Sequence, residues 1–154
     1  MYRNTTPEDV MFLAANVREE DAAEVQSVAG LTPLEALTIG LFHSKDCVTG
    51  LGRTGDPVLI AGVVKTGQPQ RHGSIWMLST PEIRHNLRAI LTEGKSWVGN
   101  MADKYGDLSN VSAVENTGHH RIIQALGFTL EPPITDYGPR NATVVPFHRK
   151  QSHV

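Results

Sequence analysis

The stretch Glu115-Asn116-Thr117-Gly118-His119-His120-Arg121-Ile122-Ile123-Gln124-Ala125-Leu126-Gly127-Phe128 reads as a strand end, a short helix and a return to the core. Asn116 can cap the free amides of a helix running from about Thr117 to Leu126. His119, Ile122, Ile123 and Leu126 fall on one face at helical spacing. Gly127 permits the turn that brings Phe128 back, and Phe128, Thr129 and Leu130 resume extended structure. A strand near Asn110 to Val114 feeds this unit.

Working outward, Thr80-Pro81-Glu82 opens a longer helix with cap and proline at its start. Ile83, Leu87, Ile90, Leu91, Trp97, Val98 and Met101 form its apolar stripe. Before it, Ser74-Ile75-Trp76-Met77-Leu78 and Pro57 to Val64 read as strands, the second rich in branched side chains. Cys47-Val48-Thr49 and Leu51 predict another. Gln68 to Gly73 reads as a loop. Towards the amino end, Thr6-Pro7-Glu8-Asp9 and Thr32-Pro33-Leu34-Glu35 are capping signatures, and Glu19-Glu20-Asp21 is an acidic helix entry stopped at Gly30. Three helices are predicted there. Pro132-Pro133 makes a stiff loop, and Ala142 to Phe147 supplies a last strand. The order predicts an α/β domain, a mixed central sheet flanked by helices.

The chain has 154 residues, 40% hydrophobic and 19% charged, which fits one globular domain over 1–154 with a short basic tail at 148–154. No apolar run is long enough to span a bilayer, and no signal core follows the first methionine. Lysine and arginine total 14 against 16 acidic residues, a net charge of -2, which argues against dedicated nucleic-acid binding. The one cysteine, Cys47, reads as a buried core residue. His119 and His120 are adjacent on a helix and point apart, so they predict no metal site.

Two stretches carry a family resemblance: Val17-Arg18-Glu19-Glu20-Asp21-Ala22-Ala23-Glu24-Val25 with Thr32 to Leu37, and the Glu115 to Phe128 unit. They resemble small bacteriophage proteins of an acetyltransferase-like (GNAT-like) fold, including the internal virion or assembly protein of short-tailed phages. In active acetyltransferases of that fold, the region matching Asn116 packs against the pantetheine and acetyl end of coenzyme A. The resemblance therefore implies Asn116 as a cofactor contact. It also places the pyrophosphate at the junction Leu78 to His85, where active members carry a glycine-rich loop. Here that junction has no glycine, Pro81 removes an amide, and Glu82 sets negative charge at a helix start. Amides around Ile83, with Arg84 and Arg88 four residues apart, are the remaining candidates for holding phosphate. Glu115, His119 and Tyr137 are candidate catalytic groups.

The resemblance implies an accessory protein of virion morphogenesis acting through phage or host protein contacts, in the host cytoplasm or the virion. The alternatives are an acetyl-CoA-dependent N-acetyltransferase, in which a free amine attacks the thioester directly, and a modifier or inhibitor of a host protein.

Overall fold

The computed structural model describes residues 1–67 and 70–150. Strand β1 (Tyr2–Asn4) leads into helices α1 (Pro7–Asn16), α2 (Glu19–Ala29) and α3 (Pro33–His43). Strands β2 (Asp46–Leu51), β3 (Pro57–Lys65) and β4 (His72–Ser79) follow, then a 3-10 turn over Pro81–His85 and helix α4 (Leu87–Tyr105). Strand β5 (Asp107–Ala113), helix α5 (Thr117–Ala125) and strands β6 (Thr129–Leu130), β7 (Ile134–Tyr137) and β8 (Ala142–Arg149) complete the chain.

The caps at the amino end are built as their sequences predict. Thr6 Oγ1 accepts from Asp9 N while the Asp9 carboxylate accepts from Thr6 N, and Thr32 and Glu35 repeat the exchange. Gly30 ends α2 in the left-handed region, at φ 71°.

The strands form one sheet in the order β1-β2-β3-β4-β5-β8-β6, with β7 also on β8. Every pairing is antiparallel except β4 with β5. Successive residues of β3 serve opposite faces. Ile60 meets Val10 and Leu13 of α1 and Leu37 of α3 on one side, with Cys47 and Leu78. Leu59 and Ala61 meet Ile90 of α4 on the other, and Val63 meets Val98 and Met101.

Three expectations shift. His72 and Gly73, read as the end of a loop, open β4 instead. The helix expected from Pro81 is a 3-10 turn that breaks at Asn86, and the α-helix proper starts at Leu87. Asn86 holds the break with its side chain: Oδ1 accepts from Arg53 N at 3.0 Å and Nδ2 donates to Glu82 O at 2.9 Å. The last strand runs through Arg149, so His148 and Arg149 belong to β8 rather than to a tail. His148 Nδ1 lies 2.9 Å from Glu131 there. Residues 151–154 of the expected tail, and Gln68 and Pro69 of the expected loop, lie outside the described residues.

Candidate functional site

The single parallel seam decides the site. β4 and β5 pair only at His72, Gly73 and Ser74 against Asp107, Leu108 and Ser109, and beyond Ser74 they part. On its other edge β4 stays bonded to β3, and Thr80 N donates to Val58 O at 2.9 Å. That bond fixes the alternation: Ser74, Trp76 and Leu78 turn their peptide groups to β3, while Ile75, Met77 and Ser79 turn theirs to the gap.

Side chains take over where the ladder stops. Asn110 Nδ2 donates to Ile75 O at 2.7 Å. At the far end α2 supplies the partners: Arg18 N donates to Ser79 O at 2.9 Å, and Asp21 Oδ2 accepts from both Ser79 N and Ser79 Oγ at 3.0 Å. Asp21 Oδ1 accepts from Arg18 Nη1 at 3.1 Å and Asn116 Nδ2 at 2.9 Å. Between these ends, the Met77 N–H and C=O face the opening.

A cavity of about 480 Å³ opens at the divergence, walled by α2, α3, β4, β5 and α5. Glu24 and His119 stand in its wall. Glu24 Oε1 accepts from Ser112 Oγ at 2.6 Å, Ala113 N at 2.7 Å and Asn116 Nδ2 at 3.3 Å. Glu24 Oε2 and His119 Nδ1 are 3.7 Å apart, an ion-pair distance rather than a hydrogen bond. Burial alone would push the Glu24 carboxyl up; His119, Ser112 and Ala113 outweigh it and hold it below its ordinary value. Burial alone would pull the His119 imidazole down; the carboxylates of Glu24 and Asp21 outweigh that, against a smaller opposing effect of Arg18, and raise it.

Of the residues singled out in the sequence, His119 and Tyr137 line this cavity, Tyr137 from β7. Glu115 is exposed at the turn before α5 and does not line it. Asn116 is buried, at 2% exposure, but its side chain does not cap α5. It turns inward to Asp21 and Glu24 because two carboxylates outcompete neutral capping amides. Its Oδ1 is left buried without a partner.

Ile83 is turned into the protein. Its side chain is in the core and its N–H donates to Thr80 O at 3.1 Å. The first α-helical bond of α4 runs from Ile90 N to Asn86 O, so the N–H groups of Leu87, Arg88 and Ala89 have no α-helical acceptor. Arg84 and Arg88 are exposed beside them, and among the described residues no carboxylate pairs with either. A second cavity of about 490 Å³ beside Thr80 is ringed by Asp56 and Glu82 as well as Arg53, which makes it a poor seat for phosphate.

No family model matches the chain, and no curated protein matches it. Solved structures do. An acetyltransferase of the GNAT family from Streptococcus pneumoniae superposes with a TM-score of 0.65 at 14% identity, covering 99% of each chain. The chain has the GNAT acetyltransferase fold. Ribosomal-protein-alanine N-acetyltransferase from Brucella melitensis shares the GNAT fold with a TM-score of 0.67 at 16% identity, over 97% of this chain and 99% of that one. Spermidine N-acetyltransferase from Vibrio cholerae, solved with CoA and spermine, gives 0.64 at 14% identity, over 98% and 95%. At such identities the likeness carries the fold and leaves the substrate open.

The sequence shows Asp21 only as a helix-entry charge and gives Glu24 no role of its own. Their signal was spacing: Arg18, Asp21 and Glu24 recur every three residues and so share the face of α2 turned to the sheet.

Proposed function

We propose that this chain is an N-acyltransferase that draws its acyl group from a coenzyme A thioester, acetyl-CoA first among them. The observation that carries the reading is the open edge of β4. Met77 presents a peptide N–H and C=O to a cavity whose wall holds a buried carboxylate–imidazole pair.

The residues fit the cofactor unevenly but sufficiently. The amide chain of pantetheine has partners in the Met77 edge, whereas Asn116, implied as a contact by the sequence, is buried behind the cavity wall. The phosphates have Arg84, Arg88 and the first amides of α4, without the close approach that glycine allows. Bound there, the cofactor supplies an acyl group already activated as a thioester. The Met77 N–H is placed to stabilise charge developing on a carbonyl oxygen. Glu24 orients the amine, and His119 holds a proton beside it, on a site that Trp76 and Phe128 help to keep dry.

The closure of Ser79 by Asp21, together with the glycine-free junction, favours a second reading. In it the same fold acts through contacts with a phage or host protein, as an accessory of virion morphogenesis in the host cytoplasm and the particle or as a modifier of a host target. The exposed apolar side chains Met11, Leu34, Ile39 and Phe42 suit such contacts. The superposed structures lend this second reading no support.

Calorimetric titration with acetyl-CoA and desulfo-CoA separates the two. Saturable binding that weakens about tenfold or more in the Arg84→Ala/Arg88→Ala double variant, with amine-dependent release of free thiol, is the expected result. Absence of both binding and thiol release, with recovery of the chain in assembling capsids, overturns it in favour of the accessory.

A further inference from the structure

The cavity that Glu24 and His119 share has a composition that selects its occupant. Its apolar surface comes from side chains such as Val28, Ile39, Trp76 and Phe128. Among its described lining residues Glu24 is the only carboxylate, and no lysine or arginine reaches it. The volume of about 480 Å³ is that of a small-molecule site.

Its aromatic wall is fixed in place. A Cβ on Gly40 of α3 would come 2.5 Å from the Trp76 ring, and one on Gly62 of β3 would come 2.8 Å from it. The indole thus lies against two bare backbones, and its Nε1 donates to Ser44 Oγ at 2.9 Å. Such a wall is set before any ligand arrives.

The charged end is half used. Glu24 Oε1 already accepts three hydrogen bonds. Oε2 makes none, meeting only His119 at 3.7 Å, and Glu24 stands in the cavity wall. One anionic oxygen in an apolar chamber asks for one strong donor on an apolar body. We infer that the cavity binds a primary amine carried on a single bulky apolar group, an arylalkylamine, with its ammonium on Glu24 Oε2 and its ring against Trp76.

The chemistry excludes the neighbouring classes. A polyamine would bury further ammonium groups with no carboxylate to meet them. A neutral alcohol of the same shape would exchange a charge-assisted bond for an ordinary one. The inference names the amine side of the proposed transfer, but its test reads binding alone.

The probes are 2-phenylethylamine, 2-phenylethanol and spermidine, followed by calorimetry and by tryptophan emission in a Trp97→Phe background, where Trp76 is the one remaining indole. The amine is expected to bind about tenfold more tightly than the alcohol, and spermidine more weakly than either. Glu24→Gln keeps an acceptor for Ser112 and Ala113 and is expected to erase the preference for amine over alcohol. Ile39→Trp, at a half-exposed rim position, fills the chamber and is expected to weaken both ligands while leaving the fold intact by circular dichroism. Equal affinity for amine and alcohol, a preference for spermidine, or a preference that survives in Glu24→Gln overturns the inference, as does failure of both aromatic probes to bind. Amine binding without thioester consumption would remove the transferase and keep this site. Acetylation of spermidine without arylalkylamine binding would do the reverse.

Discussion

Asp21 and Ser79, 58 residues apart, are joined by two hydrogen bonds, from the backbone N and from Oγ of Ser79 to one carboxylate oxygen. The other oxygen serves Arg18 and Asn116. The carboxylate is 1% exposed and has a donor in every direction it faces.

Removing it takes the acceptor from Ser79 N, Ser79 Oγ and Arg18 Nη1, and leaves Asn116 Nδ2 with Glu24 alone. Asp21→Ala is expected to lose about 3 kcal/mol of stability, and Asp21→Asn about half that, in urea unfolding. A parent-like midpoint for Asp21→Ala would show that the clasp contributes nothing.

The Glu24–His119 pair makes a prediction for pH. The imidazole is raised above its ordinary 6.5 in the folded chain. A group raised on folding contributes its stability in full below the unfolded value and loses it as pH rises through the folded one. His119 ring protons should titrate above 6.5 by NMR, and in Glu24→Gln, with burial dominant, should move downward. An unmoved titration would separate the two groups.

Asp9 has the opposite sign. Burial raises its carboxyl, but bonds from Arg3, Thr6 and Thr49 outweigh this and bring it from 3.8 to about 2. Its contribution is complete above 3.8 and is lost as pH falls towards about 2. Asp9→Asn should therefore be less stable than the parent by about 2 kcal/mol at neutral pH, with the gap closing in acid. A gap independent of pH would refute the assignment.

Gly40 tests the wall of the cavity. Gly40→Ala drives a methyl to 2.5 Å from the Trp76 ring, where neither helix backbone nor wedged indole can yield freely. A loss of about 1–3 kcal/mol is expected, with a changed tryptophan band in near-ultraviolet circular dichroism. An unchanged band would mean that the indole is not confined.

Much of the fold was readable because it rests on local chemistry. Thr6 with Asp9, Thr32 with Glu35, Pro57 to Val64 and the Leu126-Gly127-Phe128 turn declare themselves within a few residues. The site did not, since its geometry comes from pairs far apart in the chain. Asn116 looked like a cap because nothing nearby reveals that Asp21, 95 positions earlier, will claim its amide. Asn86 hid the helix break for the same reason: its partner Arg53 lies 33 residues away.

Among the described residues, three residue pairs of parallel ladder are all the strand pairing between the halves of the sheet. What aligns the halves beyond them is a handful of polar side chains, chiefly Asn110 and Asp21. Backbone ladders are indifferent to sequence, whereas side-chain bridges can be exchanged one codon at a time. The width and polarity of the opening can therefore drift through point changes on α2 while the strands stay put, so one scaffold can be retuned to new guests without being refolded.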